Sequence, residues 1–166
     1  MYFTSGGTQL MKFSLTFAAW VVALMFMGPA RGDSIEPILT VLKSPTCGCC
    51  VKWMEHLHDN GFSTAVEEPE NLEQQKAQLG IGPRYRSCHT AVSAQGFLFE
   101  GHVPSKFIHA FLAAPPEGSI GLSVPGMPVG SPGMEVGDRF MPYQILLLQK
   151  DGSTEIFAEI NSALDQ

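Results

Sequence analysis

Pro37-Ile38-Leu39-Thr40-Val41-Leu42-Lys43-Ser44-Pro45-Thr46-Cys47-Gly48-Cys49-Cys50 is the stretch from which the fold is read. Residues 37–43 are mostly apolar with β-branched Ile38, Thr40 and Val41, which predicts a short strand. Ser44-Pro45-Thr46 breaks it and offers Thr46 as the cap of a helix. Cys47, Cys50, Trp53, Met54 and Leu57 then recur at spacings of three and four, one stripe of that helix. Asp59-Asn60-Gly61 ends it, with Asn60 or Gly61 able to take the left-handed conformation. Three thiols in four residues at a helix N-terminus are not core packing. The helix start lowers thiol pKa and exposes sulfur, and thiolate is the form that attacks disulfides or binds soft metals. The one remaining cysteine, Cys88, is followed directly by His89.

Outward from this motif, residues 62–66 predict a second strand. Asn71 and Gln74 resemble a capping box for a helix over 72–79, stopped by Gly80. A polar loop, 81–87, delivers Cys88-His89. Residues 90–93 and 97–100 predict a hairpin, and Ser105 is expected to cap a third helix that buries Phe107, Ile108, Phe111 and Leu112. Residues 115–142 read as a long Gly/Pro/Met-rich loop, a kind of segment that is usually functional. Residues 143–149 and 154–158 predict a C-terminal β-hairpin around Asp151-Gly152. The order strand, Cys motif, helix, strand, helix, strand, strand, helix is that of a thioredoxin-like α/β sandwich, in which the motif occupies the place of a redox pair. By that analogy Cys47 and Cys50 could close a disulfide, and Cys49 is a third thiol that would scramble a simple two-thiol switch.

At the N-terminus, Lys12, an uncharged apolar run over 13–27 and Gly28-Pro29-Ala30-Arg31-Gly32 have the layout of a signal peptide. Residues 1–32 are therefore expected to be removed, with Met11 a candidate true start, leaving 33–166 as a single domain. The apolar run is shorter than the ~20 residues of a membrane span, so no stable membrane insertion is expected after cleavage. No cysteine near the cleavage site offers a lipid anchor. The 166-residue chain carries a formal charge of −6, and the mature part keeps eight Lys+Arg against sixteen Asp+Glu, or −8. An acidic chain without a basic cluster argues against nucleic acid and anionic lipid as partners. The exported compartment, the periplasm in a Gram-negative source, is oxidising and permits disulfides.

For the thiols, a structural disulfide with one thiol to spare competes with a metal site. Zinc could take four thiolates, but C-x-C-C crowds three ligands without the usual two-residue spacing. Copper(I) accepts few soft ligands and shares bridging sulfurs among several ions, which favours copper. Cys88 is the candidate fourth sulfur, and His89 a ligand or an orienting neighbour. His102, in Glu100-Gly101-His102-Val103-Pro104, is a candidate ligand or simply a turn histidine. His56, His58 and His109 read as exposed helix positions, Met54 as core and Met141 as packing. Met127 and Met134 lie in a Gly/Pro loop with little core to fill, so their thioethers are candidate ligands or a lid.

Four strings together resemble one family: Lys43-Ser44-Pro45-Thr46-Cys47-Gly48-Cys49-Cys50, Ser87-Cys88-His89-Thr90-Ala91, Glu100-Gly101-His102-Val103-Pro104, and Gly121 to Met127-Pro128 through Gly133-Met134-Glu135. In this order, across residues 36–158, they are similar to the CopG-type periplasmic copper-resistance proteins. The resemblance implies a thioredoxin-like fold and copper bound by Cys47, Cys49 and Cys50 with help from Cys88. It further implies a multinuclear, redox-active copper cluster and a role in copper tolerance. A cluster able to store or pass electrons could interconvert Cu(I) and Cu(II), but turnover does not follow from the ligands. Copper ions are the expected partners, with other periplasmic copper-export or copper-oxidising proteins as candidates. A thiol–disulfide oxidoreductase using Cys47 and Cys50 is the competing function.

Overall fold

The computed structural model describes residues 1–2 and 38–166. The expected signal peptide and its cleavage site lie outside the described residues, Met1 and Tyr2 apart. The strands are β1 (Ile38–Lys43), β2 (Ser63–Glu67), β3 (His89–Ser93), β4 (Leu98–Glu100), β5 (Ser119–Ser123), β6 (Tyr143–Gln149) and β7 (Thr154–Ile160). The helices are α1 (Gly48–Asp59), α2 (Leu72–Gln78) and α3 (Ser105–Ala113), with single 3-10 turns at Pro83–Tyr85 and Ala163–Asp165. All seven described strands join one open sheet in the order β2-β1-β3-β4-β5-β6-β7. The pairs β1–β2 and β4–β5 are parallel and the other four antiparallel. This is the mixed α/β architecture expected, with the C-terminal hairpin β6–β7 in place. Among the described residues no helix is long and apolar enough to cross a membrane.

Alternation along the strands divides the buried residues between the two faces of the sheet. Leu39, Val41, Ala91, Phe99, Leu122, Ile145 and Leu147 point to one face, where Trp53 and Leu57 of α1 and Ile108 and Phe111 of α3 cover them. Leu98 and Leu148 point to the other, under Leu79, Ile81 and Tyr85 from the end of α2 and the turn after it. α1 buries Cys50, Trp53, Met54 and Leu57, the predicted stripe without Cys47, which is the partly exposed N-cap.

The main departure is β5. Residues 119–123 were included in the expected loop of 115–142, yet they form an interior strand between β4 and β6. Gly121 hid it by composition, and the same glycine makes it possible. A Cβ there would lie 1.9 Å from the Leu98 carbonyl oxygen of the neighbouring strand. The Gly/Pro-rich loop is therefore 124–142, and it is tied down. Gly130 N–H bonds the Met134 carbonyl, Met134 N–H that of Ser131, and Met141 N–H that of Val129.

Two expected caps are also corrected. The N-cap of α1 is Cys47, not Thr46, and has no side-chain cap bond; the Thr46 hydroxyl meets Ser44 Oγ at 3.2 Å instead. Ser105 is the first residue of α3, and its N–H donates to His56 Nε2 at 3.0 Å. His56 is thus a half-buried cap acceptor where an exposed position was expected. Asn71 does cap α2, accepting from Gln74 N–H at 2.9 Å.

Candidate metal centre

The centre forms where two turns at one end of the sheet meet the first turn of α1. Cys47 caps α1 in extended conformation (φ −78°, ψ 93°), and Cys49 and Cys50 lie in the first turn of the helix. Cys47 and Cys50 are joined as a disulfide across a Cα–Cα distance of 5.4 Å. Cys49 and Cys88 are free thiols, both partly exposed. Cys49 Sγ lies 3.6 Å from Cys47 Sγ and 3.8 Å from Cys88 Sγ. The four sulfurs all fall within 4.8 Å of one another, so residues 39 positions apart in sequence share one site.

Cys88 also belongs to a second set. Its sulfur is 3.2 Å from His89 Nδ1 and 3.1 Å from His102 Nε2. Both imidazoles are fully buried. His102 Nδ1 is 2.8 Å from the Pro132 carbonyl. A carbonyl only accepts, so that nitrogen carries the proton and Nε2 turns a lone pair toward the Cys88 sulfur. This is the arrangement of a metal-binding histidine, oriented through its other nitrogen. His89 is held between rings, 4.3 Å from Trp53 and edge-on to His102 at 5.0 Å. Trp53 is fixed in turn by its Nε1–H to the Val103 carbonyl at 2.9 Å. His89 Nε2 is buried without a hydrogen-bond partner among the described residues.

The electrostatics keep these donors in their neutral forms. Burial, the neighbouring His102 and the Lys76 charge hold His89 well below the usual imidazole range. Burial also lowers His102, against the opposing pull of the Pro132 carbonyl and Glu135. The Cys88 thiol is pushed up to about 12 by burial and by Cys49, while Ser87 and Lys76 act the other way. A soft cation placed among these atoms would meet two neutral imidazoles and would displace the thiol proton. The donor set, thiols plus imidazoles with an orphaned buried nitrogen, fits a thiophilic metal.

The loop 124–142 approaches from two sides. Gly126 N–H bonds the Arg86 carbonyl at 3.1 Å, and the Ser87 hydroxyl bonds the Gly126 carbonyl. Gly133 rests on α1, where a Cβ would meet the Cys49 carbonyl oxygen and the Trp53 nitrogen, each at 2.7 Å. Met127 and Met134 thus follow glycines anchored beside the centre. Met134 is half-buried, while Met127 is exposed and lines a surface groove of about 370 Å³ with Met141, Pro128 and Tyr143. No cysteine or histidine lines that groove. Met141, expected to be packing, is 54% exposed.

His58 meets Thr64 Oγ1 at 2.7 Å, and His109 meets the Asn60 carbonyl at 2.9 Å while stacking on Phe62. Neither joins the centre. Sequence reasoning missed Trp53 and Pro132 as supports of His89 and His102, because nothing in the sequence marks which ring or carbonyl will face an imidazole.

Comparison with known proteins gives three results. The profile of a family described as "Protein of unknown function, DUF411" matches residues 85–134. Two solved structures are similar, "Copper resistance protein copG- Form 2" at 39% identity with TM-score 0.71, and "Form 1" at 40% with TM-score 0.70. Each alignment covers 75% of this chain and 98% of the other. No curated protein sequence matches the chain.

Proposed function

The chain belongs to the CopG family of copper resistance proteins, and from that premise we propose that it is an exported copper-binding protein of copper resistance. It holds Cu(I) in a multinuclear, redox-active site built from Cys47, Cys49, Cys50, Cys88, His89 and His102, with Met127 and Met134 as further soft ligands or a lid. The observation that carries the reading is the convergence of four sulfurs within 4.8 Å, with Cys88 shared with two buried histidines. Sulfurs so close can bridge cations that accept few, soft ligands, as Cu(I) does. The signal-like layout of residues 12–32 supports export, and on this reading 33–166 acts as one periplasmic domain alongside other copper-exporting or copper-oxidising proteins.

In the disulfide form, Cys47 and Cys50 are not thiolates. Full copper capacity therefore requires their two-electron reduction, and reoxidation of the pair withdraws two bridging ligands. Cys49, within 4 Å of the sulfurs on both sides, is the central bridge. Cys49→Ser is expected to fold normally and to lose most of its copper stoichiometry in an anaerobic Cu(I) titration of the reduced protein. Unchanged loading would contradict the cluster reading.

The Cys47–Cys50 disulfide favours one second reading, a thiol–disulfide oxidoreductase. It requires an attacking and a resolving thiol, so it expects Cys49→Ser to retain metal-free reduction of a protein disulfide and Cys50→Ser to trap a mixed disulfide.

A further inference from the structure

On the face of the sheet opposite the imidazoles, two charged side chains are fully buried, Lys76 of α2 and Glu100 at the end of β4. Lys76 Nζ donates to Glu100 Oε1 and to the Ser87 carbonyl, each at 2.6 Å. The same Oε1 accepts the Ser87 amide at 2.6 Å, and Oε2 accepts the Thr90 hydroxyl. One ion pair therefore takes both main-chain polar groups of Ser87, the residue before Cys88. Thr90, two residues past Cys88, is paired across the strands with Glu100. Alternation sends Thr90 to the ion pair and His89 through the sheet to Trp53. The pair reaches the other half of the centre through the main chain: Gly101 N–H bonds the His89 carbonyl at 2.9 Å, and His102 follows.

Desolvating two charges costs about as much as their attraction returns, so a buried ion pair is weak evidence of a stabilising role. What this pair does geometrically is fix residues 87–90. We propose that Lys76 and Glu100 are positioning residues of the thiol–imidazole centre. They clamp the main chain on both sides of Cys88, so that its sulfur stays 3.1 Å from His102 Nε2 and 3.8 Å from Cys49 Sγ. The inference rests on the reading of Cys88 as a copper ligand given above.

The test is Lys76→Met/Glu100→Leu, which removes both charges together and leaves no uncompensated ion in the core. Thr90→Val, which removes one bond to Glu100, is the milder variant should the first not fold, with the same effects expected at smaller size. Two readouts are taken: exchange of the Ser87 amide by NMR in the metal-free protein, and Cu(I) affinity with the ultraviolet thiolate-to-copper band in the reduced protein. The expected result is Ser87 exchange at least about tenfold faster with β6 amides still protected, Cu(I) affinity lower by roughly 10–100-fold, and an altered band. Ser87 exchange as slow as in the parent protein overturns the clamp. Fast exchange with parental affinity and band overturns its part in the centre. If the parent protein takes up no Cu(I), the copper reading fails alone, and Ser87 exchange still decides the clamp.

Discussion

Cys88 is the residue on which the site turns, because it alone belongs to both the sulfur group and the imidazole group. Its raised pKa of about 12 means that the metal-free protein holds it as a neutral thiol through the physiological range. Alkylation of Cys88 is therefore expected to be slow at pH 7 and to quicken roughly tenfold per pH unit up to about pH 10, since only thiolate reacts. Peptide mapping after iodoacetamide treatment measures this. Reaction at pH 7 as fast as that of a free cysteine peptide would contradict it. The four cysteines were legible in the sequence because three thiols in four residues have no place in an ordinary core. The support of His102 by Pro132 was not, since a carbonyl carries no signature in the sequence and is brought there by a turn 30 residues away.

At the scale of elements, two contacts place the site. Gly133, at φ 84°, lies against the first turn of α1. Gly133→Ala is expected to destabilise the fold by about 1–3 kcal/mol, through the positive φ and through backbone contacts that cannot yield. Thermal unfolding checks this, and an unchanged midpoint would show that the loop does not rest there. The Lys76–Glu100 pair is the other contact. Lys76→Met alone leaves Glu100 buried without its partner and is expected to cost about 3–5 kcal/mol, more than the double neutral variant costs. Denaturant unfolding of both variants compares the two losses. Most elements were readable from periodicity and punctuation, as the α1 stripe and the Asn71 cap show. Strand β5 was not, because its central glycine looks like loop, while its reason for being glycine, the backbone of Leu98, lies on another strand. Lys76 was equally hidden. A lysine in a short polar helix gives no hint of burial until the helix is docked on the sheet.

For the whole molecule, the sheet matters chiefly as a frame that brings α1, the turn before β3, the turn after β4 and the loop 124–142 to one place. The family membership and the α/β class follow from motifs spread over that whole frame, which is why they were legible from four short strings. The methionines were less so, because thioethers in a Gly/Pro loop can face the centre or the solvent, and Met127 lies exposed on a groove beside Met141. Since the proposed ligands come from separate elements, Cu(I) should bind the folded chain far better than the unfolded one. Loading at a free concentration of 100 Kd is then expected to stabilise the reduced protein by about 2.7 kcal/mol per site, seen as a rise in Tm that a Cu(I) chelator reverses. The central claim is that four sulfurs and their histidines form one copper cluster. The most direct test is native mass spectrometry of the protein under anaerobic Cu(I) titration, with the Cys47–Cys50 pair either reduced or kept as the disulfide. Several coppers are expected to bind cooperatively to each reduced chain, and fewer to the disulfide form. No copper, or a single weakly held ion irrespective of the disulfide, would contradict it.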